Sequence, residues 1–480
     1  MVEVKKEEKK VSRRDYLKYT GAAIGGLVVG GALGYVLKPT EVIEKTVTAP
    51  GVATTITKMV TTTVTAVPTT SPTTITLTPT YTLTKPLELY AWDYHPETIE
   101  EHLAAFKEQT GISVKLNVLP YPGYLTSIQS KIMGGIQIDD LYVQNHTQLK
   151  WYNAGWLHEL ESFPESKKIK SDMYKEWVTK YTTPDGILIT LPYWTGSYVH
   201  MINRRIMEEN GFEYPKSLED IYTQCKKLSE KGMKAPYTAY WSWQLEESVV
   251  EYMVGEGVDL FDEKGRPLFE DDPNAKYVLE WMYRMYKEGC TSPTITTDEV
   301  SAIVTAWLNA ESYICNWHSY FIETFNRSGE GPERGNCVIP PVPPSSTKKT
   351  IQIGDCYGMF GRPQDVMAAW ELLKFLGWKD RKGEYRVATT WAYKTGLLPP
   401  YKDWWEDPKH KEALSKWVDF DLLKTYFEKY SAAVPFRVNI LWYFDWVVYM
   451  EDQVKKMLVG EVSPSDVLKK IAEKAKEFLS

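Results

Sequence analysis

The chain is poor in the residues from which catalytic and metal sites are usually built. Seven histidines are spread over 480 residues, and none falls in an H-E-x-x-H pair. There is no G-x-S-x-G elbow, no P-loop and no dinucleotide fingerprint. Hydrolase, kinase and dehydrogenase chemistries therefore lack their customary residues, and no enzyme activity, cofactor or metal is expected. Carboxylates are paired at Asp139–Asp140 and Asp271–Asp272. Adjacent residues of a strand point to opposite faces, so neither pair converges as a glycosidase pair would. Capping or solvated charge accounts better for both. Cysteine is scarce too: five residues, at 225, 290, 315, 337 and 356, with no C-x-x-C and no histidine spacing suited to zinc. Because none precedes Cys225, lipid attachment near the N-terminus is excluded. Cys337 and Cys356 flank a Pro-rich connection and form the candidate disulfide, with burial as small apolar side chains the alternative for all five. No dense Lys/Arg tract occurs in the body, and the net charge is −7 with a pI of about 5.7. Nucleic acid is not the expected partner.

Charge is also nearly missing from one stretch near the start. Between Thr40 and Thr84 there are nineteen threonines, with prolines at 50, 68, 72 and 79. Such a segment cannot bury enough apolar surface to fold, and its composition suits an O-glycosylated stalk or a plain spacer. Before it, Tyr19–Leu37 carries no charge but six glycines, and at roughly 19 residues it is long enough to cross a hydrocarbon core. Arg13-Arg14-Asp-Tyr-Leu-Lys18 resembles a twin-arginine export signal. The basic excess ahead of the apolar run favours N-in, C-out. No A-x-A site follows it, and a stalk favours retention as an anchor over cleavage as a signal peptide. Residues 1–39 are thus read as signal and membrane anchor, 40–85 as stalk, and the rest as an extracytoplasmic body.

That body, about 395 residues long, has room for two or three domains with substantial cores, and no second run of 18 apolar residues appears in it. Leu87–Ala91 reads as a strand, Glu97–Gln109 as a helix ended by Gly111, and Val114–Val118 as a second strand. A helix bearing Leu125, Ile128 and Ile132 follows, then a third strand at Ile138–Val143. This order implies a parallel, doubly wound α/β sheet, in which ligands lie beyond the carboxyl ends of the strands. Ser217 is the expected N-cap of a helix through Leu218, Ile221, Cys225 and Leu228, with Asp220 as its capping-box partner. Further amphipathic helices are expected at 274–288 and 364–378, with a helical C-terminus at 453–458 and 464–478.

Four stretches in order resemble the extracellular solute-binding proteins of ABC importers, in the sugar-binding branch related to maltose-binding protein. They are Phe106-Lys-Glu-Gln-Thr-Gly-Ile-Ser-Val114; Gly134-Gly-Ile-Gln-Ile-Asp-Asp-Leu141; the set Asp185-Gly-Ile-Leu-Ile-Thr-Leu-Pro192, Met201–Gly211 and Tyr214–Asp220, which is the most specific; and Ala368–Leu376 with Thr395-Gly-Leu-Leu-Pro-Pro400. Leu308–Ile314 departs from the family's usual G-x-a-a-M. The resemblance implies a type II binding-protein fold: two doubly wound α/β lobes joined by a multi-strand hinge and closing on a ligand. It places crossovers near Pro192–Met201, Ile353–Gly361 and Ser431–Phe436. One lobe would then comprise 86–195 and 361–432, the other 196–360 and 433–480. The partners implied are a small molecule, a carbohydrate above all, and an ABC permease, with the binding protein itself a monomer.

The aromatic balance fits a sugar, with 18 Trp and 32 Tyr against 14 Phe, since Trp and Tyr join apolar faces to polar handles. Trp92, Tyr121, Trp194, Trp241, Trp243, Trp317, Tyr357, Trp391, Trp442 and Trp446 fall on loops, strand ends or crossovers and are candidates to stack on sugar rings. Asp93, Gln144, Asn145, Asp355, Arg437 and Asn439 are candidates to bond hydroxyls. Core packing is the competing role for each aromatic residue. Trp194, next to the first crossover, is the foremost candidate, followed by Asp355 in Gly354-Asp-Cys-Tyr-Gly358. Within the binding class the rival is another ligand, such as a peptide, polyamine or organic anion; an anion would need convergent arginines or helix N-termini, and Arg437 is the one obvious candidate near an expected crossover. A secreted glycan-degrading enzyme is the rival from another class. Asn145-His-Thr and Asn326-Arg-Ser are glycosylation sequons.

Overall fold

The computed structural model describes residues 83–480. The expected anchor and nearly all of the stalk lie outside them. Among the described residues, no helix is long and apolar enough to cross a membrane.

The sheet begins as the apolar alternation requires. Strands β1 (Leu87–Trp92), β2 (Val114–Leu119) and β3 (Asp140–Val143) are parallel, β1 lying between the other two. Their crossovers are α1 (Pro96–Thr110) and α2 (Tyr124–Met133). Helix α1 starts on a proline, whose fixed φ suits the first turn, and ends at Gly111, whose φ of 77° closes the C-cap. On the inner face of α1, Ile99, Leu103 and Phe106 are buried, at helical spacing.

Two long strands then cross the whole molecule. Strand β4 (Leu191–Asn203) is buried along its full length, its polar residues Thr195, Ser197, His200 and Asn203 included. Strand β5 (Tyr237–Ala239) pairs in parallel with β6 (Ile314–His318), and β6 pairs antiparallel with β4. A short β7 (Cys337–Val338) caps the end of β4. Strand β8 (Thr350–Met359) returns antiparallel to both β3 and β4, and β9 (Ser431–Ala432) joins its start in parallel. The sheet order is β2-β1-β3-β8-β4-β6-β5. The sheet is therefore mixed rather than wholly parallel, because each lobe borrows strands that arrive from the other. β4 and β8 belong to both lobes and form the hinge.

Helices cover both halves of the sheet: α3 (Leu218–Glu230), α4 (Leu245–Gly255), α5 (Pro273–Lys287), α6 (Val366–Gly377) and α7 (Arg386–Thr395). Ser217 caps α3 by accepting from the Asp220 N–H, and Asp220 in turn accepts from the Lys216 N–H. Asp272 caps α5, which settles its role as structural. The C-terminus forms α8 (Tyr443–Leu458) and α9 (Pro464–Glu477). Helix α8 starts ten residues earlier than the sequence suggested. Its first turns are aromatic, yet Trp446, Met450, Val454 and Met457 recur at helical spacing and are buried.

All five cysteines are free and buried, so the Cys337–Cys356 pairing is corrected. Cys337 sits on β7 at the far end of β4, whereas Cys356 faces Pro192 near its start. The hinge strands thus hold the two residues apart.

Candidate functional site

The site is built where the carboxyl ends of both half-sheets meet at the hinge. Trp92 ends β1, Tyr121 follows β2, and Asn145 follows β3. From the other half come the loop after β5 (240–244) and the end of β6 with Trp317 and His318. The hinge strands add Tyr193, Trp194 and Asp355.

A register shift between Pro192 and Trp194 leaves Tyr193 outside the β4–β8 ladder. Such a bulge breaks the strict alternation of faces. Tyr193 and Trp194, neighbours in sequence, therefore both serve the same site. The Trp194 Nε1–H donates to Asp355 Oδ2 at 3.2 Å, and the Asn145 backbone N–H donates to Asp355 Oδ1 at 3.2 Å. The Trp194 ring meets Tyr320 edge-on at 5.2 Å and lies 5.4 Å from His318. Burial pushes the Asp355 carboxyl above its ordinary range, against the pull of the Asn145 N–H and the nearby Lys180.

Trp92 is the hub on the opposite side. Its ring packs edge-on against Tyr121, Tyr124, Tyr142 and Tyr193, with centroids 4.8–5.6 Å apart. Asp93 Oδ1 accepts from the Tyr121 N–H at 2.8 Å and so fixes the loop that carries this ring. Desolvation, then the carboxylates of Asp355 and Glu247, raises the pKa of the Tyr121 hydroxyl. Trp317 stacks on Phe321 at 3.9 Å and donates from Nε1 to Gln244 Oε1 at 3.1 Å. The Trp317–Gln244 bond ties the end of β6 to the loop after β5.

Arg437, Glu246, Glu247 and His318 form one paired charge network at the site. Arg437 donates to Glu246 and Glu247 at 2.9 Å, and His318 Nε2 meets Glu247 Oε2 at 2.6 Å. The Tyr443 hydroxyl closes the network on Glu246. Burial pulls the Glu247 carboxyl upward, but the charges of His318 and Arg437 outweigh it and hold that group well below the usual range. For Glu246, burial prevails and the carboxyl is raised. Arg437 is thus committed within the protein and is not a free cation for an anionic ligand. Lys180, also buried, donates to Asn145 Oδ1 at 3.3 Å, and desolvation followed by Arg437 lowers its pKa to about 8. It borders a cavity the size of one water molecule, lined also by Gln352 and Pro435.

The structure brings Trp92, Asp93, Tyr121, Asn145, Trp194, Trp317 and Asp355 to one cleft. It sets the other candidates apart. Tyr357 and Trp391 are buried beneath the cleft, against Tyr193. Trp241 is wholly buried beside Tyr237 in the half-sheet of β5 and β6. Trp442 stacks on Phe478 and packs on Phe261. Sequence reasoning missed Tyr193, Gln244, Glu247 and Tyr320. Tyr193 adjoins the strongest candidate, but the bulge that turns it to the cleft leaves no mark in the sequence. Glu246–Glu247 look like ordinary first-turn acids of a helix. The side-chain amide nitrogens of both sequon asparagines are spent internally, Asn145 on the Lys180 carbonyl and Asn326 on the carbonyls of Cys337 and Trp417. Among the described residues, no group of His, Cys, Asp or Glu is arranged to hold a metal ion.

Two α/β lobes on shared hinge strands, with an aromatic cleft between them, define a two-lobed solute-binding protein of type II. Residues 92–380 match the model of the bacterial extracellular solute-binding protein family, and the chain belongs to that family. No curated protein matches it by sequence. Among solved structures it is similar to maltose-bound MalE3 of T. maritima, at TM-score 0.71 and 20% identity over 82% of this chain and 99% of that one. The GacH receptor of Streptomyces glaucescens is similar at TM-score 0.71 and 17% identity, over 82% and 99%. Lmo0181 of Listeria monocytogenes, in complex with cycloalternan, is similar at TM-score 0.69 and 16% identity, over 82% and 98%.

Proposed function

We propose that the protein captures a sugar or oligosaccharide outside the cytoplasm and delivers it to an ABC permease. The observation that carries this reading is the chemistry of the cleft. Tyr121, Trp194 and Trp317 converge with acceptors at Asp355 and Gln244, while Arg437 is already paired with Glu246 and Glu247. Aromatic faces suit the C–H faces of a sugar ring, and carboxylate and amide oxygens suit its hydroxyls. An anion would find no free arginine there. The sugars in the structures of MalE3 and Lmo0181 support the same reading.

In this reading the protein works as a monomer without a cofactor, one lobe comprising 86–195 and 361–432 and the other 196–360 and 433–480. The N-terminal segment tethers it to the membrane through the Thr/Pro stalk. Binding is non-covalent, and a micromolar ligand corresponds to about −8 kcal/mol.

The test is tryptophan fluorescence and melting temperature against panels of mono- and oligosaccharides, peptides and organic anions. A saturable shift for a glycan recovered unchanged is the expected result. Trp194→Ala should weaken that binding by at least about tenfold, or roughly 1.4 kcal/mol. A response confined to peptides or anions would overturn the sugar reading, and recovery of a cleaved glycan would move the protein to the enzymes.

A further inference from the structure

The residues that follow β3 carry the first half-sheet onto the C-terminal segment. The His146 ring lies flat on Phe444 at 4.8 Å, with the two planes 7° apart. Beside this stack, Lys150 Nζ meets Asp445 Oδ2 at 3.2 Å. Phe444 and Asp445 open α8, which is fixed to the other half of the molecule. Glu451 Oε1 accepts from the Glu246 N–H of α4 at 3.0 Å, and the Trp446 Nε1–H donates to the Ile471 carbonyl of α9 at 2.8 Å. His146, by contrast, stands just behind β3, next to Asn145, which is bonded to Asp355 and Lys180. Hinge motion in a two-lobed protein therefore acts on this stack.

The stack suits one charge state of the imidazole only. Its Nε2 is buried and has no partner. A proton there would find no acceptor, and a buried charge without one is costly. Of the charges that act on the ring, Arg437 and Lys180 oppose protonation. Glu247 favours it but is already engaged by Arg437 and His318. The other charged groups nearby are spent as well. Lys150 pairs with Asp445, Glu246 with Arg437, and Asp355 accepts from Asn145 and Trp194. Burial, then Arg437, lowers the His146 pKa to about 3, whereas a wetted histidine titrates near 6.5.

We infer that His146 and Phe444 form a proton-sensitive latch, in which the neutral ring holds the two lobes together and its protonation in acid lets them part. The linkage has one sign. The proton binds the parted form, where water reaches the ring, and is excluded from the joined form. Acid therefore favours parting, and with it release of whatever the lobes enclose. The latch holds fully above the ordinary histidine range and weakens as pH falls through it.

The experiment puts spin labels on the full-length protein at Glu108→Cys on α1 and Glu230→Cys on α3, both exposed positions. The native thiols are buried, so the labels go to the introduced ones. The distance between the labels is read without ligand, at about pH 7.5 and about pH 5. Across that interval the ratio of parted to joined molecules should rise roughly thirtyfold, the factor for one group that titrates near 6.5 in a single form. His146→Phe, which keeps a stacking ring, and His146→Gln cannot take up the proton, and each should hold its neutral-pH ratio in acid. Circular dichroism at both pH values checks that every protein stays folded. Distances in the parent that ignore acid, or variants that part in acid as the parent does, would overturn the latch. Because no ligand is present, either result leaves the sugar reading standing.

Discussion

At the scale of single residues, burial decides what each ionisable group does. Asp139 and Asp140 are both wholly buried neighbours with opposite fates. Asp139 accepts from the Glu88 and Gln364 backbone N–H groups and from the Gln137 and Gln364 side chains. Both Asp140 oxygens lack a partner, and burial, then Asp139, pushes its pKa well above the ordinary value. Its folded form holds a proton that the unfolded chain releases near pH 4, so stability falls as pH rises through and above that point. Asp140→Asn removes this dependence. The melting-temperature difference between variant and parent should grow in favour of the variant from about pH 4 upward, and a difference flat with pH would contradict it. Glu247 has the opposite sign. Its carboxyl is held low by His318 and Arg437, so its contribution is present above the unfolded value and lost as pH falls through the folded one. Removing its partner strands a buried charge, and Arg437→Met should cost about 3–5 kcal/mol in denaturant unfolding.

At the scale of elements, the hinge ladder is the most demanding part of the chain. Gly354 on β8 has a φ of 134°, and a Cβ there would run into the Trp194 carbonyl oxygen on β4. Only glycine allows the two hinge strands to approach so closely. Gly354→Ala should therefore cost at least about 2 kcal/mol and reduce ligand affinity with it, since Asp355 and Trp194 flank the contact. Full affinity in this variant would show that the hinge tolerates a wider ladder. The first three strands and two helices are legible in the sequence because their periodicity is local and their caps, such as Gly111 and Ser217, are local too. The bulge at Tyr193 is not legible, since it is a mismatch between two strands about 160 residues apart in the chain. Nor is the start of α8, where aromatic residues satisfy a helix and a strand end equally well.

At the scale of the whole molecule, contacts other than the ligand site also bridge distant segments. His146 stacks on Phe444 at 4.8 Å, and Lys150 meets Asp445 at 3.2 Å. A ligand seated between the lobes adds to these and binds only the folded protein. At about 100 times its dissociation constant it should stabilise the fold by about 2.7 kcal/mol, read as a rise in melting temperature that depends on ligand concentration. The five thiols are buried and unpaired, so reductant should leave the melting temperature unchanged. A thiol reagent should react only as the protein unfolds, and a fall in melting temperature with reductant would reveal a disulfide.

Local pattern in the sequence was enough for the type II α/β fold, the family, and the concentration of aromatic and polar groups at strand ends. Those features follow from periodicity, caps and short motifs, which act over a few residues. The tertiary structure alone decided which candidates meet. It joined Trp194 to Asp355 and enclosed Arg437 between two glutamates. It buried Trp241, Tyr357 and Trp391, and left Trp243 in water. Burial and pairing depend on segments hundreds of residues apart, and no local pattern encodes which of two tryptophans two positions apart will face solvent.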